Sequence, residues 1–509
     1  MLLLGIDVGT SSVKVCIVDA ENQRVIASAQ YPDEESPIKT LQTGWAEQSP
    51  DMWWQQMQQA LALCNKNGGY TLKNISAIGI AYQMHGLVLV DKEQKILRDS
   101  IIWCDSRAVE IGDKAFTDIG TETCLSHMLN SPGNFTAAKL AWVKQNEPGI
   151  YKRIDKIMLP GDYIAMKLTG EITTSASALS EGIFFDFQFN GISKDITDYF
   201  GFSDTLFPTV KPVFSAHGRV TEKVAALLGL TAGTPVTYKA GDQPNNALSL
   251  NVLKPGEVAA TAGTSGVIYG VSDQLAFDPQ SRVNTFAHVN YTNERKRLGV
   301  LLCINGTGSL YRWIKNTFGT SLSYEQMNKL AEGAPPGSNG LRILPFGNGA
   351  ERMLNNKQVG AHLHNIDLNL HTPAHIFRAA QEGIACAFRY GLDIMRENGM
   401  NPTVIRAGKT NMFLSNLFTQ TFVNATGVPV ELYNNDGSLG AALGAGIGAE
   451  IFPSQAEAFS KAERVGYVEP TGAAAFESIY QDWKNILEQH LEVKQDDKNQ
   501  DAEREPVNK

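Results

Sequence analysis

Cysteine is scarce here and poorly placed for metal or disulfide chemistry. The six cysteines of this 509-residue chain, at 16, 64, 104, 124, 303 and 386, form no Cys-x-x-Cys pair and no tight cluster with histidine. Neither a disulfide framework nor a zinc site is expected, and reduced thiols are the default. Long apolar runs are missing too, since none approaches the ~20 residues that a spanning helix needs. A basic leader is missing from the start, where Asp7 breaks the apolar run Leu2-Leu3-Leu4-Gly5-Ile6 too early for a signal peptide. Positive charge is in deficit: 44 Lys and Arg face 53 Asp and Glu, a net charge of −9. A protein built to hold a nucleic-acid backbone needs the opposite balance, so no nucleic-acid partner and no membrane partner is expected. A single small phosphate ligand stays open, because a few backbone N–H groups can hold one. What remains is a soluble, cytoplasmic globular chain, 43% hydrophobic and 19% charged, long enough for two or three domains.

The chain contains an echo. Gly9-Thr10-Ser11-Ser12-Val13 and Gly263-Thr264-Ser265-Gly266-Val267 agree in four of five positions, and each lies between β-type runs. That pattern is a strand, a tight Gly/Thr/Ser turn and a second strand, once in each half. Two unrelated hairpins would look the same. Between and after them, strands alternate with helices, the signature of α/β layers. Trp53, Met57 and Leu61 recur every four residues after Ser49-Pro50, as do Ile376, Ala380, Ile384, Phe388 and Leu392. Both are one-faced helices. The small-residue run Gly440–Gly446 suits a helix whose backbone lies close to a neighbour. Two lobes of similar size follow, 1–250 and 251–485, with a charged tail over 486–509, and a cleft between them is the natural ligand site.

Gly408-Lys409-Thr410 imitates the end of a phosphate-binding P-loop, but the glycine required five residues earlier is Thr403, so that reading fails. The hairpins are better candidates, because Gly, Thr and Ser turn tightly and offer N–H and hydroxyl donors to phosphate oxygens. Asp7 stands just before the first turn, where a carboxylate suits hydrated Mg²⁺ or simply caps the turn. Asp242 follows the apolar strand around Val236, where it either begins a helix or, facing the cleft, takes a proton from a substrate hydroxyl.

In order along the chain, GIDVGTSSVK, GWAEQSP, YQMHG, WCDSR, AGDQ, ATAGTSGV and RAAQEG resemble the FGGY carbohydrate kinases, from near residue 2 to about 450. The resemblance is greatest to the members that act on xylulose. It implies an α/β, two-lobed, actin-like ATPase (ribonuclease H-like) fold, with MgATP and a sugar between the lobes. The implied reaction is phosphorylation of the terminal hydroxyl of a ketopentose, D-xylulose; ribulose, gluconate, glycerol or another polyol are rival substrates. A nucleotide-gated binding module is the rival from another class. By the same resemblance Asp7 serves the metal, Asp242 is the catalytic base, and Met84, His85, Asp242 and Gln243 meet the sugar. Thr10, Ser11, Gly263, Thr264, Gly308, Gly408 and Asn411 match nucleotide positions, and a homodimer is the family expectation. The chain departs from the pattern at Arg406-Ala407-Gly408, at Gln243-Pro244-Asn245-Asn246 and at Gly349-Ala350-Glu351-Arg352.

Overall fold

The run Leu2–Val8 is apolar on both faces, and its alternation sets both layers of the first lobe. In the computed structural model, which describes residues 1–66, 68–434 and 436–502 and side chains as far as Glu492, it forms strand β1. Leu4, Ile6 and Val8 join an apolar cluster with Trp53, Met57 and Leu61. Leu3 belongs to a different cluster with Ala77, Tyr238 and Ala441, as the period of two requires. Strands β2 (Val13–Asp19), β3 (Arg24–Tyr31), β4 (Ile75–Tyr82), β5 (Phe214–Arg219) and β6 (Pro235–Gly241) complete a six-stranded sheet, ordered β5-β6-β4-β1-β2-β3.

The second sheet has seven strands: β7 (Val258–Ala262), β8 (Gly266–Ser272), β9 (Asn284–Ala287), β10 (Leu298–Ile304), β11 (Ile405–Gly408), β12 (Val430–Tyr433) and β13 (Arg464–Val468). Its order is β9-β10-β8-β7-β11-β12-β13. Five strands of the first sheet, β3-β2-β1-β4-β6, recur as β10-β8-β7-β11-β12. The senses repeat as well: β1 is antiparallel to β2 and parallel to β4, as β7 is to β8 and β11. The Gly-Thr-Ser echo is therefore the visible part of a whole duplicated sheet.

The helices used below are α1 (Pro50–Lys66), α2 (Thr136–Asn146), α3 (Pro160–Thr169), α4 (Ala176–Glu181), α5 (Asp242–Ser249), α6 (Gly308–Phe318), α7 (Tyr324–Glu332), α8 (Pro373–Glu397), α9 (Asn416–Thr426), α10 (Gly437–Gly448) and α11 (Ala473–Ala502). Helix α1 opens on Pro50 and buries Trp53, Met57 and Leu61 against the first sheet. Helix α8 buries Phe377, Ile384 and Phe388 against the second. No helix among the described residues is long and apolar enough to cross a membrane.

Two expectations about the division of the chain need correction. Helix α10, inside the segment expected to form the second lobe alone, covers the free face of the first sheet. Gly5 of β1 and Gly79 of β4 permit this, since a Cβ at either would overlap the carbonyl of Ser438 or Ala441. The tail does not begin at residue 486. Leu487 is fully buried in the second core, and α11 continues to Ala502. Residues 503–509 of that expected tail lie outside the described residues.

Candidate active site

Four separated sequence motifs meet at the first hairpin. The Thr10 hydroxyl donates to Gln83 Oε1 (3.2 Å) and accepts from the Trp103 indole (2.9 Å). Gln48 donates to the Thr10 carbonyl (2.8 Å) and accepts from Gln83 (3.1 Å) and Trp53 (3.1 Å). Ser11 lies exposed beside them, its carbonyl accepting both the N–H (2.7 Å) and the hydroxyl (2.8 Å) of Ser36. Other motif residues are structural. Buried Asp105 takes the Ala46 N–H (2.6 Å) and pairs with Arg107 (2.6 Å), whose guanidinium also reaches Glu47 (2.7 Å) and stacks 3.8 Å above the Trp45 ring. These contacts rigidify the wall that carries Gln83, Met84 and His85.

His85 is held in an unusual state. Its φ of +63° lies in the left-handed region that a side-chain-bearing residue seldom adopts. Buried Lys139 Nζ donates to its carbonyl (3.0 Å) and to that of Ile102 (3.0 Å), and the Thr136 hydroxyl adds a third contact to the His85 carbonyl (3.3 Å). Both donors belong to α2. Burial and neighbouring Lys139 push the imidazole pKa down to about 3, so the ring is neutral. Nδ1 lies 2.9 Å from the Glu181 carbonyl oxygen, which can only accept, so Nδ1 carries the proton. Nε2 is left with a lone pair, suited to accept a hydrogen bond from a hydroxyl.

Asp7 and Asp242 come together at the ends of β1 and β6. Asp242 begins α5, and its carboxyl is raised to about 7, first by burial and then by the charge of Asp7; Gln243 hydrogen-bonds oppose the shift. Asp7 is raised to about 6 by burial; Lys14 opposes this and Asp436 adds to it. A carboxyl near 7 matches the requirement of a general base at neutral pH. Met84 lies against Gly241, where a Cβ would come within 2.6 Å of its Cγ and of Glu181 Oε2. The donor set also fits a divalent cation: two part-buried carboxylates repel each other, and among the described residues Lys14 is the basic neighbour that lowers Asp7.

The second hairpin borders a cavity of about 830 Å³ whose lining includes Gly263, Thr264, Gly308 and Asn411. Helix α6 starts against this turn, with Gly308 N–H donating to the Gly263 carbonyl and Ser309 N–H to the Thr264 carbonyl (both 3.0 Å). A Cβ at Gly308 would overlap the Gly263 carbonyl, so only glycine lets the helix begin there. Gly408 does not line the cavity; it ends β11 opposite Tyr433, and Asn411 opens a short 3₁₀ turn beyond it. The rejection of a P-loop agrees with this geometry, since among the described residues no α-helix starts directly after Gly408-Lys409-Thr410.

Sequence reasoning missed three contributors. Glu181, at the end of α4, is 1% exposed, and its Oε1 has no hydrogen-bond partner. Burial, with Asp242 and Asp162 adding like charge, raises its pKa well above the usual range, so it is a neutral acid. Its only signal was a lone carboxylate in the run Ser175–Phe185, which is otherwise small, apolar or uncharged. Arg352 brings a guanidinium from the second lobe to 5.6 Å from the Phe135 ring, which packs edge-on against His85. Tyr324, Glu325, Asn328, Lys329 and Glu332 of α7 line the cavity at helical spacing, and the stack of Tyr324 on Tyr311 (5.8 Å) braces its wall.

Residues 2–249 match the N-terminal domain of the FGGY family of carbohydrate kinases, and residues 258–449 match its C-terminal domain. A xylulose kinase of Bacillus subtilis (strain 168) is 30% identical over 494 residues, spanning 95% of this chain and 96% of that one. A solved xylulose kinase from Rhodospirillum rubrum superposes with a TM-score of 0.85 at 25% identity, covering 96% of this chain and 99% of the other. A gluconate kinase structure from Lactobacillus acidophilus shares the fold at 21% identity, with a TM-score of 0.86 over 96% and 98% of the two chains.

Proposed function

The chain belongs to the FGGY family of carbohydrate kinases, and from that premise we propose that it moves the terminal phosphoryl group of ATP to the terminal hydroxyl of D-xylulose, giving D-xylulose 5-phosphate. The carrying observation is that a carboxyl tuned to about 7, Asp242, and a neutral imidazole, His85, both lie beside Glu181. Asp242 aligns the attacking hydroxyl and receives its proton as the oxygen bonds to phosphorus. His85 Nε2 accepts a second hydroxyl, and Met84 and Gln243 border the sugar. Thr264, Gly263 and the start of α6 receive the nucleotide in the cavity they line, with Asn411 at its edge. Thr10 and Ser11 form the opposing turn. Asp7 would hold hydrated Mg²⁺, which neutralises phosphate charge when bound. Phosphoryl transfer asks mainly for positioning and charge stabilisation, which a rigid wall and a second closing lobe provide.

Fold likeness alone leaves the sugar open, because gluconate and xylulose kinases share it. A panel of ketopentoses, aldonates and polyols, assayed by ADP release with the phosphorylated carbon identified by ³¹P–¹³C NMR, decides. D-xylulose is expected to give the highest kcat/KM. A higher value with gluconate, ribulose or glycerol would reassign the substrate and keep the reaction. ATP turnover unaffected by any sugar, with no phosphosugar formed, would favour a nucleotide-gated module instead.

A further inference from the structure

Three of the nine histidines gather on elements of the second half of the chain. His362 and His364 alternate on the strand Gly360–His364, so the period of two puts them on one face of a short hairpin with Arg342–Phe346. His490 comes from α11, which packs across that hairpin. The Nε2 atoms of His364 and His490 face each other at 3.0 Å. The ring centroids lie 4.1, 5.1 and 5.7 Å apart, and one ligand atom from each ring falls within 4.8 Å of the others.

The geometry points to a binding site for one divalent transition-metal ion of the zinc class, held by His362, His364 and His490. A metal–imidazole bond of about 2.0–2.1 Å in tetrahedral geometry sets neighbouring ligand nitrogens roughly 3.3 Å apart, close to the His364–His490 separation. His362 Nε2 donates to the Val359 carbonyl (2.9 Å), which fixes its tautomer and leaves the lone pair on Nδ1. This is the outer contact that metal-ligating histidines usually make. No carboxylate belongs to the trio, so the ligand set selects zinc, nickel, cobalt or copper over magnesium or calcium. Three protein ligands leave the fourth position to water.

The two elements are already fastened together beside the trio. Trp483 Nε1 donates to the Ile343 carbonyl (2.9 Å), Arg342 pairs with Asp482 (3.1 Å), and Lys357 Nζ donates to the Leu491 carbonyl (3.1 Å). The ion would therefore enter a preformed site and clamp α11 to the hairpin. In a second candidate, His127 Nδ1 is already taken up by contacts to Asp186 (3.1 Å) and Asp195 (3.0 Å), so the trio is the better site. The zinc reading drawn from cysteine spacing missed the trio because its members lie on two elements more than a hundred residues apart in sequence.

The test uses the full chain, dialysed against micromolar zinc in millimolar Mg²⁺ so that the Asp7 and Asp242 carboxylates are occupied, with retained metal measured by atomic emission. About one zinc per chain is expected, with at least a tenfold loss of affinity in both His364→Gln and His490→Gln. Cobalt(II) in place of zinc should give a tetrahedral visible band that both variants lose. Far-UV circular dichroism checks that the variants fold. If one does not, zinc protection of wild-type histidines from diethyl pyrocarbonate supplies the same comparison. A wild-type chain that retains no zinc, or folded variants that retain as much as wild type, would overturn the site.

Discussion

Asp242 carries two opposed burdens, and they can be separated by experiment. A carboxyl whose folded pKa stands near 7, against 3.8 unperturbed, binds its proton more tightly when folded. Its ionisation therefore costs stability at pH 8, and the cost fades as pH falls through 7 toward 4. Asp242→Asn should lower turnover by about 10²–10⁴-fold while sugar binding persists. The same variant, without ligands, should unfold later at pH 8 by about 1–2 kcal/mol, discounted because the group is part-exposed, and show no gain at pH 4. Denaturant midpoints at the two pH values check this, and near-normal turnover would remove Asp242 from the base role. In wild type, kcat/KM should fall on the acid side of about pH 7, since that profile reports the free enzyme. A flat profile between pH 6 and 8 would contradict it. Glu181 is held neutral, so Glu181→Gln should leave the unfolding midpoint within about 1 kcal/mol of wild type, whereas Glu181→Ala leaves a cavity and lowers it. Asp7, Asp242 and His85 could be singled out in the sequence because each sits in a local motif, and the roles given to them are proposals. Glu181 and Arg352 could not be, because only the fold brings their separate segments to the same wall.

Helix α10 shows how an element's composition can be read while its partner cannot. Its glycines and alanines announce a close approach, and Gly5 and Gly79 on the facing strands complete the contact. Nothing in the sequence says that the neighbour belongs to the other half of the chain. Gly79→Ala should cost at least about 1–3 kcal/mol, because its new methyl meets backbone that cannot move aside. Thermal unfolding of the variant measures this, and an unchanged midpoint would show that α10 can shift. Helices α5 and α10 are equivalents: each follows the last inner strand of one sheet, and Asn245 Nδ2 of one donates to the Gly437 carbonyl of the other (2.8 Å). Asp242 begins the first, and Asp436 caps the second by accepting the Leu439 N–H (3.0 Å). The duplication thus gave two acids at matched helix starts, of which one is proposed to take up chemistry.

At the scale of the whole molecule, the hairpin echo and the alternating strands and helices made the paired α/β lobes legible. The return of residues 437–459 to the first lobe was not, because apolar patterning records burial and not the identity of the covering layer. That return couples the lobes. Trp45, Trp53, Trp54, Trp103 and Trp142 report on the first lobe, and Trp313 and Trp483 on the second. Urea unfolding followed by tryptophan fluorescence and by circular dichroism should therefore give one coincident transition, where independent lobes would give two. The same return has a consequence for manufacture. A ribosome delivers the chain from its amino end, so the face bearing Leu3, Ala77 and Tyr238 waits uncovered until residue 437 and those after it have emerged. The first lobe to be translated is thus finished only after most of the second has emerged, and a translation arrest anywhere before α10 leaves an apolar sheet face for chaperones to shield.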